Sequence, residues 1–221
     1  MVLIFSLSHS HVQPINASIQ QSSGMDNSKN KSIDLCCRWG KQISDGELKY
    51  KLINMLGKQK EVVREAFDSW NKQLTTLQLV EVRSYDQRAE ILVTVGDIST
   101  GDSGRLVNNV EAGQTAGQSV NNLDGDGFIT NASILLSDEI FNVKSDSNPL
   151  FAVILHEIGH ALGLGHANFD DLMNPVVTAN VKGVSVCDVN GVVKTNELTI
   201  KKVVRPHLPA NSGKQATVDC Q

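Results

Sequence analysis

The spacing of apolar and polar residues predicts a mixed α/β domain in the first half of the chain. Residues 47–53 alternate between polar and apolar, as a half-buried strand does. Residues 58–74 change to the helical period, with one apolar stripe opposite a charged side, so we expect an amphipathic helix there. Residues 77–82 and 89–95 return to the short apolar runs that are typical of strands.

The second half begins with a long segment that resembles neither helix nor strand. Residues 96–126 are rich in Gly, Asn, Asp and Ser, so we expect a long loop. Two short strands are predicted at 127–130 and 132–136, followed by a helix over 149–162 that starts near Pro149. A last helix is predicted over 185–198, although Gly191 lies inside it.

Length and composition suggest one folded domain with tails. The chain has 221 residues, which fits a single domain. Its first seven residues form an apolar run ahead of a polar stretch, as at the end of a secretory signal, and cleavage near Ala17 is one expectation. A frayed apolar terminus is the alternative. We therefore expect a signal-like segment and disordered linker over 1–34, a folded domain over 35–200 and a tail over 201–221.

Charge and hydropathy exclude two classes of partner. The net charge is -4 and no basic cluster occurs, so a nucleic-acid partner is not expected. No apolar run approaches the ~20 residues that a membrane-spanning helix needs.

Half of the chain's six histidines fall in one pattern, H-E-x-x-H-x-x-G-x-x-H. On a helix, His156 and His160 lie on the same face, one turn apart. Gly163 lets the backbone leave the helix sharply, which brings His166 round as a third ligand. Three neutral imidazoles are a complete protein ligand set for a catalytic zinc, and Glu157 lies beside them as a candidate general base. A helix end that holds three histidines by chance is the alternative.

The four cysteines, Cys36, Cys37, Cys187 and Cys220, lack the C-x-x-C spacing of a zinc ribbon or redox motif. A bridge between the neighbours Cys36 and Cys37 would depart from the usual Cα separation. In an exported chain we therefore expect Cys187 and Cys220 each to pair with one of those neighbours, in either of two arrangements. Reduced, buried thiols are the alternative.

Asp124 and Asp126 lie in a segment that imitates the first half of a calcium-binding loop. Position twelve of such a loop should be Glu, but here it is Ser133, so a true EF-hand is not expected. A looser calcium site at the two aspartates is one interpretation. An Asp-Gly turn before a strand is the other, and the sequence favours it.

The extended histidine motif and the segment Leu172-Met173-Asn174-Pro175 resemble the metzincin metallopeptidases, and among them the matrixins. The resemblance extends over about residues 36–198, and the other segments that carry it are Arg38-Trp39, 48–50, 63–70 and 89–93.

The resemblance implies an α+β metzincin catalytic domain, with a twisted mixed sheet, a backing helix, an active-site helix and a C-terminal helix. It implies zinc bound by His156, His160 and His166, with Glu157 as general base. Met173 would be a packing floor below the metal.

The resemblance also implies how a substrate would bind. An antiparallel edge strand would hydrogen-bond an extended polypeptide, and by position we expect that strand at residues 132–136. Residues 174–177 would line the pocket for the side chain after the scissile bond. The sequence departs from the family in several respects. It contains no Pro-Arg-Cys-Gly inhibitory segment, and no histidine for a second zinc lies between His11 and His156.

Together these features predict a monomeric zinc endopeptidase that is secreted or held at the cell surface. One alternative is a zinc peptidase of another clan, with a distant Glu as third ligand. The other is a catalytically silent, zinc-stabilised binding module at the cell surface. The presence of Glu157 argues against that module, because a purely structural site needs no base beside its metal.

Overall fold

A computed structural model of the chain describes residues 13–18, 30–83, 88–98, 115–142, 149–178, 180–200 and 216–220. In this part of the chain, a large mixed sheet is packed against helices and a smaller sheet lies beside them. The arrangement confirms the predicted α+β fold class.

The large sheet contains β1 (Gln13–Ser18), β3 (Arg38–Trp39), β4 (Glu47–Ile53), β5 (Gln78–Glu81), β6 (Ile91–Gly96), β7 (Thr115–Leu123) and β8 (Phe128–Ser137). The small sheet contains β2 (Ser32–Leu35), β9 (Leu164–Ala167) and β10 (Ala216–Asp219). The helices are α1 (Gly57–Gln73), α2 (Asp138–Asn142), α3 (Leu150–Ala161) and α4 (Val186–Ile200), and Lys41–Ile43 form a short 3-10 helix.

The large sheet is parallel in its middle and antiparallel at one end. Its order is β1-β7-β8-β6-β4-β5, and β3 also pairs with β8. Strands β4, β5, β6 and β8 run parallel to one another, whereas β7 is antiparallel to both β8 and β1. The prediction of an edge strand at 132–136 is therefore wrong, because that segment lies in β8 and is covered by β7. Strand β7 lies inside segment 96–126, which was predicted to be a loop because it is rich in polar residues.

Helix α1 packs against both the sheet and α3, as its apolar stripe predicts. Phe67 and Trp70 are fully buried, and the Phe67 ring stacks on Tyr50 of β4 with 3.7 Å between ring centroids. The Trp70 indole donates a hydrogen bond of 3.1 Å to the Leu155 carbonyl of α3. Helix α1 therefore fixes the position of α3 relative to the sheet.

The folded part begins earlier than the predicted boundary at residue 35. Strand β2 lies in the segment predicted as a linker, and β1 crosses the predicted cleavage position at Ala17. The remainder of the predicted signal-like segment and linker, 1–12 and 19–29, lies outside the described residues. So does most of the tail, 201–215.

The predicted cysteine pairing is wrong. Cys36 is bonded to Cys37, with 3.7 Å between their Cα atoms, and Cys187 is bonded to Cys220. The reason lies in strand direction. Strand β10 runs antiparallel to β2 and pairs Asp219 with Ser32, so Cys220 lies beside the beginning of β2. Cys36 and Cys37 follow the other end of β2, roughly 16 Å away at ~3.3 Å per residue.

No helix among the described residues is long and apolar enough to cross a membrane.

Candidate active site

Helix α3 forms the centre of the site and is buried on all sides. Every residue from Ala152 to Ala161 is buried, which is typical of a helix inside a core rather than on a surface. Pro149 precedes its first residue, and the ring of that proline restricts the backbone to a helical φ. Burial of the whole helix removes water from the imidazoles that it carries.

Three distant side chains satisfy carbonyl groups at the C-terminal end of α3. The Trp39 indole donates to the Ala161 carbonyl at 2.9 Å. The Asn121 amide of β7 donates to the His160 carbonyl at 2.8 Å, and the Asn196 amide of α4 donates to the Leu162 carbonyl at 2.9 Å. The last four carbonyl groups of an α-helix have no N–H partner inside that helix, so these side chains provide hydrogen bonds that the helix itself cannot.

These three contacts were not found by sequence reasoning. Each joins α3 to a residue far away along the chain, and a single tryptophan or asparagine carries no local pattern that identifies its partner.

Gly163 makes the turn that leads to the third histidine. Its φ is +101°, a left-handed conformation that favours glycine, and a Cβ at this position would collide with the Cys37 carbonyl. The chain then enters β9, which pairs with β2 and carries His166. The predicted third ligand therefore lies on a short strand that a neighbouring strand supports.

The three histidines predicted as ligands come together. Their candidate ligand atoms all lie within 4.8 Å of one another. The Nδ1 atom of His156 lies 2.7 Å from the Leu172 carbonyl, and that of His160 lies 2.9 Å from the Leu164 carbonyl. Because a carbonyl only accepts, each Nδ1 must donate, which leaves the lone pair on Nε2.

The Nε2 atoms of all three rings are buried and have no hydrogen-bond partner in the described part of the chain. Buried polar atoms without partners are rare in folded proteins, and here the three belong to residues that ligate zinc well. The residues present therefore fit a zinc ion held by His156, His160 and His166.

Burial keeps these imidazoles neutral. It lowers the pKa of His156 to about 4 and the pKa of His160 well below its ordinary value. It also lowers the pKa of His166, although the nearby Asp34 carboxylate acts in the opposite direction. A neutral imidazole is the form that binds a metal, so the site is prepared for a cation without first losing protons.

Glu157 lies on α3 directly after the first histidine and faces β7. It is fully buried. A Cβ on Gly117 of β7 would lie 2.7 Å from Cγ of Glu157 and 2.9 Å from its Oε1, closer than real Cβ atoms approach other atoms. The absence of a side chain at Gly117 therefore leaves the space that Glu157 occupies. Sequence reasoning missed this contact, because Gly117 lies in the segment predicted as a loop.

Met173 lies against α3, and its segment also orients the first histidine. It is fully buried, and a Cβ on Gly159 would lie 2.5 Å from its Sδ atom. Its neighbour Leu172 provides the carbonyl that accepts from His156. The Met-containing segment thus supports the helix and fixes one ring.

Asp188 of α4 is buried beside the same segment. Its Oδ2 atom accepts the Ser185 N–H at 2.8 Å, and the Ser185 hydroxyl donates to Oδ2 of Asp171 at 2.7 Å. Burial, and then the negative charge of Asp171, raise the pKa of Asp188 to about 7. This chain of contacts links α4 to the residue that precedes Leu172.

The two aspartates considered for calcium lie in a turn. Oδ1 of Asp124 accepts the N–H groups of Asp126 and Phe128, at 3.0 Å and 2.9 Å. Among the residues that the structure describes, the histidine cluster is the only group of three or more His, Cys, Asp or Glu side chains that could hold a metal ion. The geometry favours the Asp-Gly turn.

A helix that carries two imidazoles and a carboxylate, with a third imidazole returning on a strand, is typical of metal-dependent hydrolases. Comparison with known protein families shows which kind of metal-dependent hydrolase this is. A family model for the matrixins matches residues 38–195 of the 221-residue chain. The chain belongs to the matrixin family, as its motifs predicted. It is therefore a metalloprotease of a family that uses zinc and acts on peptides.

Proposed function

We propose that the protein is a secreted, monomeric zinc endopeptidase in which Glu157 is the general base. The observation that carries the proposal is the cluster of three buried Nε2 atoms, two of them on the helix that also carries the Glu157 carboxylate. Membership of the matrixin family supports the same chemistry.

His156, His160 and His166 would hold the zinc. When bound, zinc supplies Lewis-acid chemistry, which polarises the scissile carbonyl and makes nearby water more acidic. The two carbonyls that accept from Nδ1 of His156 and His160 orient these rings, and such outer contacts commonly strengthen metal binding.

Glu157 would move the proton. Its carboxylate accepts a proton from the attacking water and then gives it to the amine that leaves when the peptide bond breaks. The space beside Gly117 holds the Glu157 side chain between α3 and β7. A carboxylate held between two rigid elements loses little freedom when it acts.

The substrate would be an extended polypeptide that adds to the β7 side of the sheet. Strand β7 is antiparallel to β8 and lies against α3, so a peptide paired with it would pass beside Glu157. Residues 174–177 would line the pocket for the side chain after the scissile bond. Asn174 shapes this segment, since its side chain bonds the backbone of Phe169 and Val176, both at 2.8 Å.

Two variants of the zinc site test this mechanism. Glu157→Ala should keep the zinc and the fold while losing about 10²–10⁴-fold of the peptidase activity, because it removes only the base. His160→Ala should lower zinc content as well as activity, because it removes a ligand from the same helix. The measurements are zinc content and the turnover of an unfolded protein substrate, with and without a chelator.

The outcome also decides between the peptidase and the alternative of a silent binding module. If Glu157→Ala cleaves the substrate at nearly the rate of the parent protein, the proposed role of Glu157 is wrong. If the zinc-loaded parent protein cleaves no peptide at all, the zinc is structural and the module is favoured.

A further inference from the structure

The third histidine lies opposite an aspartate on the neighbouring strand. Strands β2 and β9 are joined at two apolar pairs, which are Ile33 with Ala167 and Leu35 with Leu164. Between these pairs β2 has one residue, Asp34, whereas β9 has two, Gly165 and His166. This is the pattern of a β-bulge, in which two residues of one strand oppose a single residue of the other. The bulge therefore gives Asp34 and His166 the same place in the ladder.

The apolar pairs show which way Asp34 is directed. A Cβ on Gly191 of α4 would lie 2.7 Å from Cδ2 of Leu164, and within 3.7 Å of both apolar side chains of β2. These side chains therefore face α4. Because successive side chains of a strand point to opposite faces, Asp34 is directed away from α4.

Gly165 lets the two strands approach each other at the bulge. A Cβ at this position would lie 2.8 Å from Cβ of Asp34, closer than real Cβ atoms approach other atoms. The approach brings charge to the third imidazole, since the Asp34 carboxylate acts to raise the pKa of His166 against the effect of burial. Asp34 is thus a negative charge beside a zinc-site ring, carried by a different strand.

The other two rings of the cluster already have partners on the side away from Nε2. Nδ1 of His156 lies 2.7 Å from the Leu172 carbonyl, and Nδ1 of His160 lies 2.9 Å from the Leu164 carbonyl. Histidines that bind zinc commonly donate this second N–H to a carbonyl or a carboxylate, which fixes the ring and makes its free nitrogen more basic. A carboxylate beside His166 would complete the set.

We propose that Asp34 is the outer partner of His166, which orients the third ring and strengthens its bond to zinc. Asp34 acts through His166, so it is a positioning residue rather than a ligand. The inference rests on the proposed function in one respect, that the three histidines hold zinc. It does not depend on which reaction the metal serves.

Three variants of the full chain test this role. Asp34→Asn keeps the shape of the side chain and removes its charge, whereas Asp34→Glu keeps the charge. Asp219→Asn is the matched control, because it removes the same charge from an exposed position in the same small sheet, on β10. The first readout is zinc affinity at neutral pH, measured by competition with a chromophoric chelator. The second is the visible absorption spectrum of the Co²⁺-loaded protein, which reports the geometry of the ligands around the metal.

Asp34→Asn should bind zinc about 10–100-fold more weakly than the parent protein, as expected when an outer partner of a ligand is lost. Its Co²⁺ spectrum should differ from that of the parent. Asp34→Glu should recover part of the zinc affinity, and Asp219→Asn should match the parent in both measurements.

Three results would overturn the proposal. One is equal zinc affinity in Asp34→Asn and the parent. Another is an equal loss in Asp34→Asn and Asp219→Asn, which would indicate a general effect of charge in the small sheet. The third is an equal loss in Asp34→Asn and Asp34→Glu, since the shape of the side chain rather than its charge would then matter.

Failure of the proposed function would look different. If zinc affinity and the Co²⁺ spectra behave as expected, but the zinc-loaded parent cleaves no unfolded protein, the peptidase assignment is wrong and the role of Asp34 at the metal stands. If the parent cleaves the substrate and Asp34→Asn binds zinc as the parent does, only the role of Asp34 is wrong.

Discussion

At the scale of single residues, the position of Glu157 depends on the absence of a side chain at Gly117. Gly117→Ala would place a Cβ 2.7 Å from Cγ of Glu157, so the carboxylate must move. Because misplacement by about 1 Å can cost 10²-fold in rate, we expect a loss of that order. Zinc content should not change, since no ligand is touched. The measurements are turnover and zinc content.

Gly125→Ala is the control for this substitution. Gly125 lies in the turn between β7 and β8, and a Cβ there would meet nothing within 4 Å. It should leave turnover unchanged. If the two alanine variants were equally active, the contact between Gly117 and Glu157 would not position the base.

Asp188 should make stability depend on pH. Its pKa in the folded protein is about 7, against 3.8 for an ordinary aspartate. Between these values the folded chain keeps a proton that the unfolded chain has released, so stability must fall as pH rises. The stabilising contribution of protonated Asp188 is fully present below about pH 4 and is lost as the pH rises through 7. In this range the free energy of unfolding falls by at most about 1.4 kcal/mol per pH unit.

Asp188→Asn tests this dependence, because asparagine can still accept the Ser185 N–H but does not ionise in this range. Urea unfolding at a series of pH values should show a smaller fall in stability between pH 4 and pH 7 for the variant. The same slope in both proteins would mean that Asp188 ionises normally in the folded state.

At the scale of elements, α4 holds the end of α3 through one buried amide. Asn196 accepts the Trp39 N–H at 3.1 Å and donates to the carbonyls of Leu162 and Val192. Asn196→Ala would leave buried backbone groups without partners, at about 1–3 kcal/mol for each group. We expect a loss of roughly 3 kcal/mol or more in the free energy of unfolding.

Asn190→Ala is the matched control, since Asn190 lies on the same helix but is exposed. It should change the free energy of unfolding by no more than about 0.5 kcal/mol. A similar loss in both variants would indicate a general effect on α4 rather than the loss of the contacts to Leu162 and Trp39.

The elements also show which parts of the structure the sequence could predict. Helix α1 and strand β4 followed from local periodicity, and the histidine pattern predicted where α3 ends. Strand β7 did not follow from any local pattern. Its residues, Thr115–Leu123, are mostly small or polar, and its strand character comes from pairing with β8 and β1. The same limit applied to β2, β9 and β10, which form a sheet from three distant parts of the chain.

The prediction of the cysteine pairing was wrong for a related reason. Spacing along the chain excluded a bond between neighbours on general grounds, but only the direction of β10 relative to β2 shows where Cys220 lies. The histidine cluster was easier to predict, because two of the predicted ligands and the proposed base lie on one helix and the third histidine follows a single turn.

At the scale of the whole molecule, an early strand and the last strand of the described fold meet beside the third histidine. Strand β2 lies between β10 and β9, and β9 carries His166. The bond between Cys187 and Cys220 ties β10 to α4 over a separation of 33 residues. The chain-entropy argument gives about 3–4 kcal/mol for a loop of this length.

Replacement of both Cys187 and Cys220 by serine should therefore lower the free energy of unfolding by about 3–4 kcal/mol. Zinc content at 25 °C should stay the same, because β2 still pairs with β9 through Ile33 and Leu35. The measurements are urea unfolding at a fixed zinc concentration and metal analysis of the folded protein.

The pair Cys36 and Cys37 provides the control, because a bond between adjacent residues closes almost no chain. Its double serine variant should lose much less stability by the same entropy argument. If instead the Cys187 and Cys220 variant lost zinc while still folded, β10 would be needed to hold β9 in place. The support of His166 would then extend through the small sheet to the C-terminal disulfide.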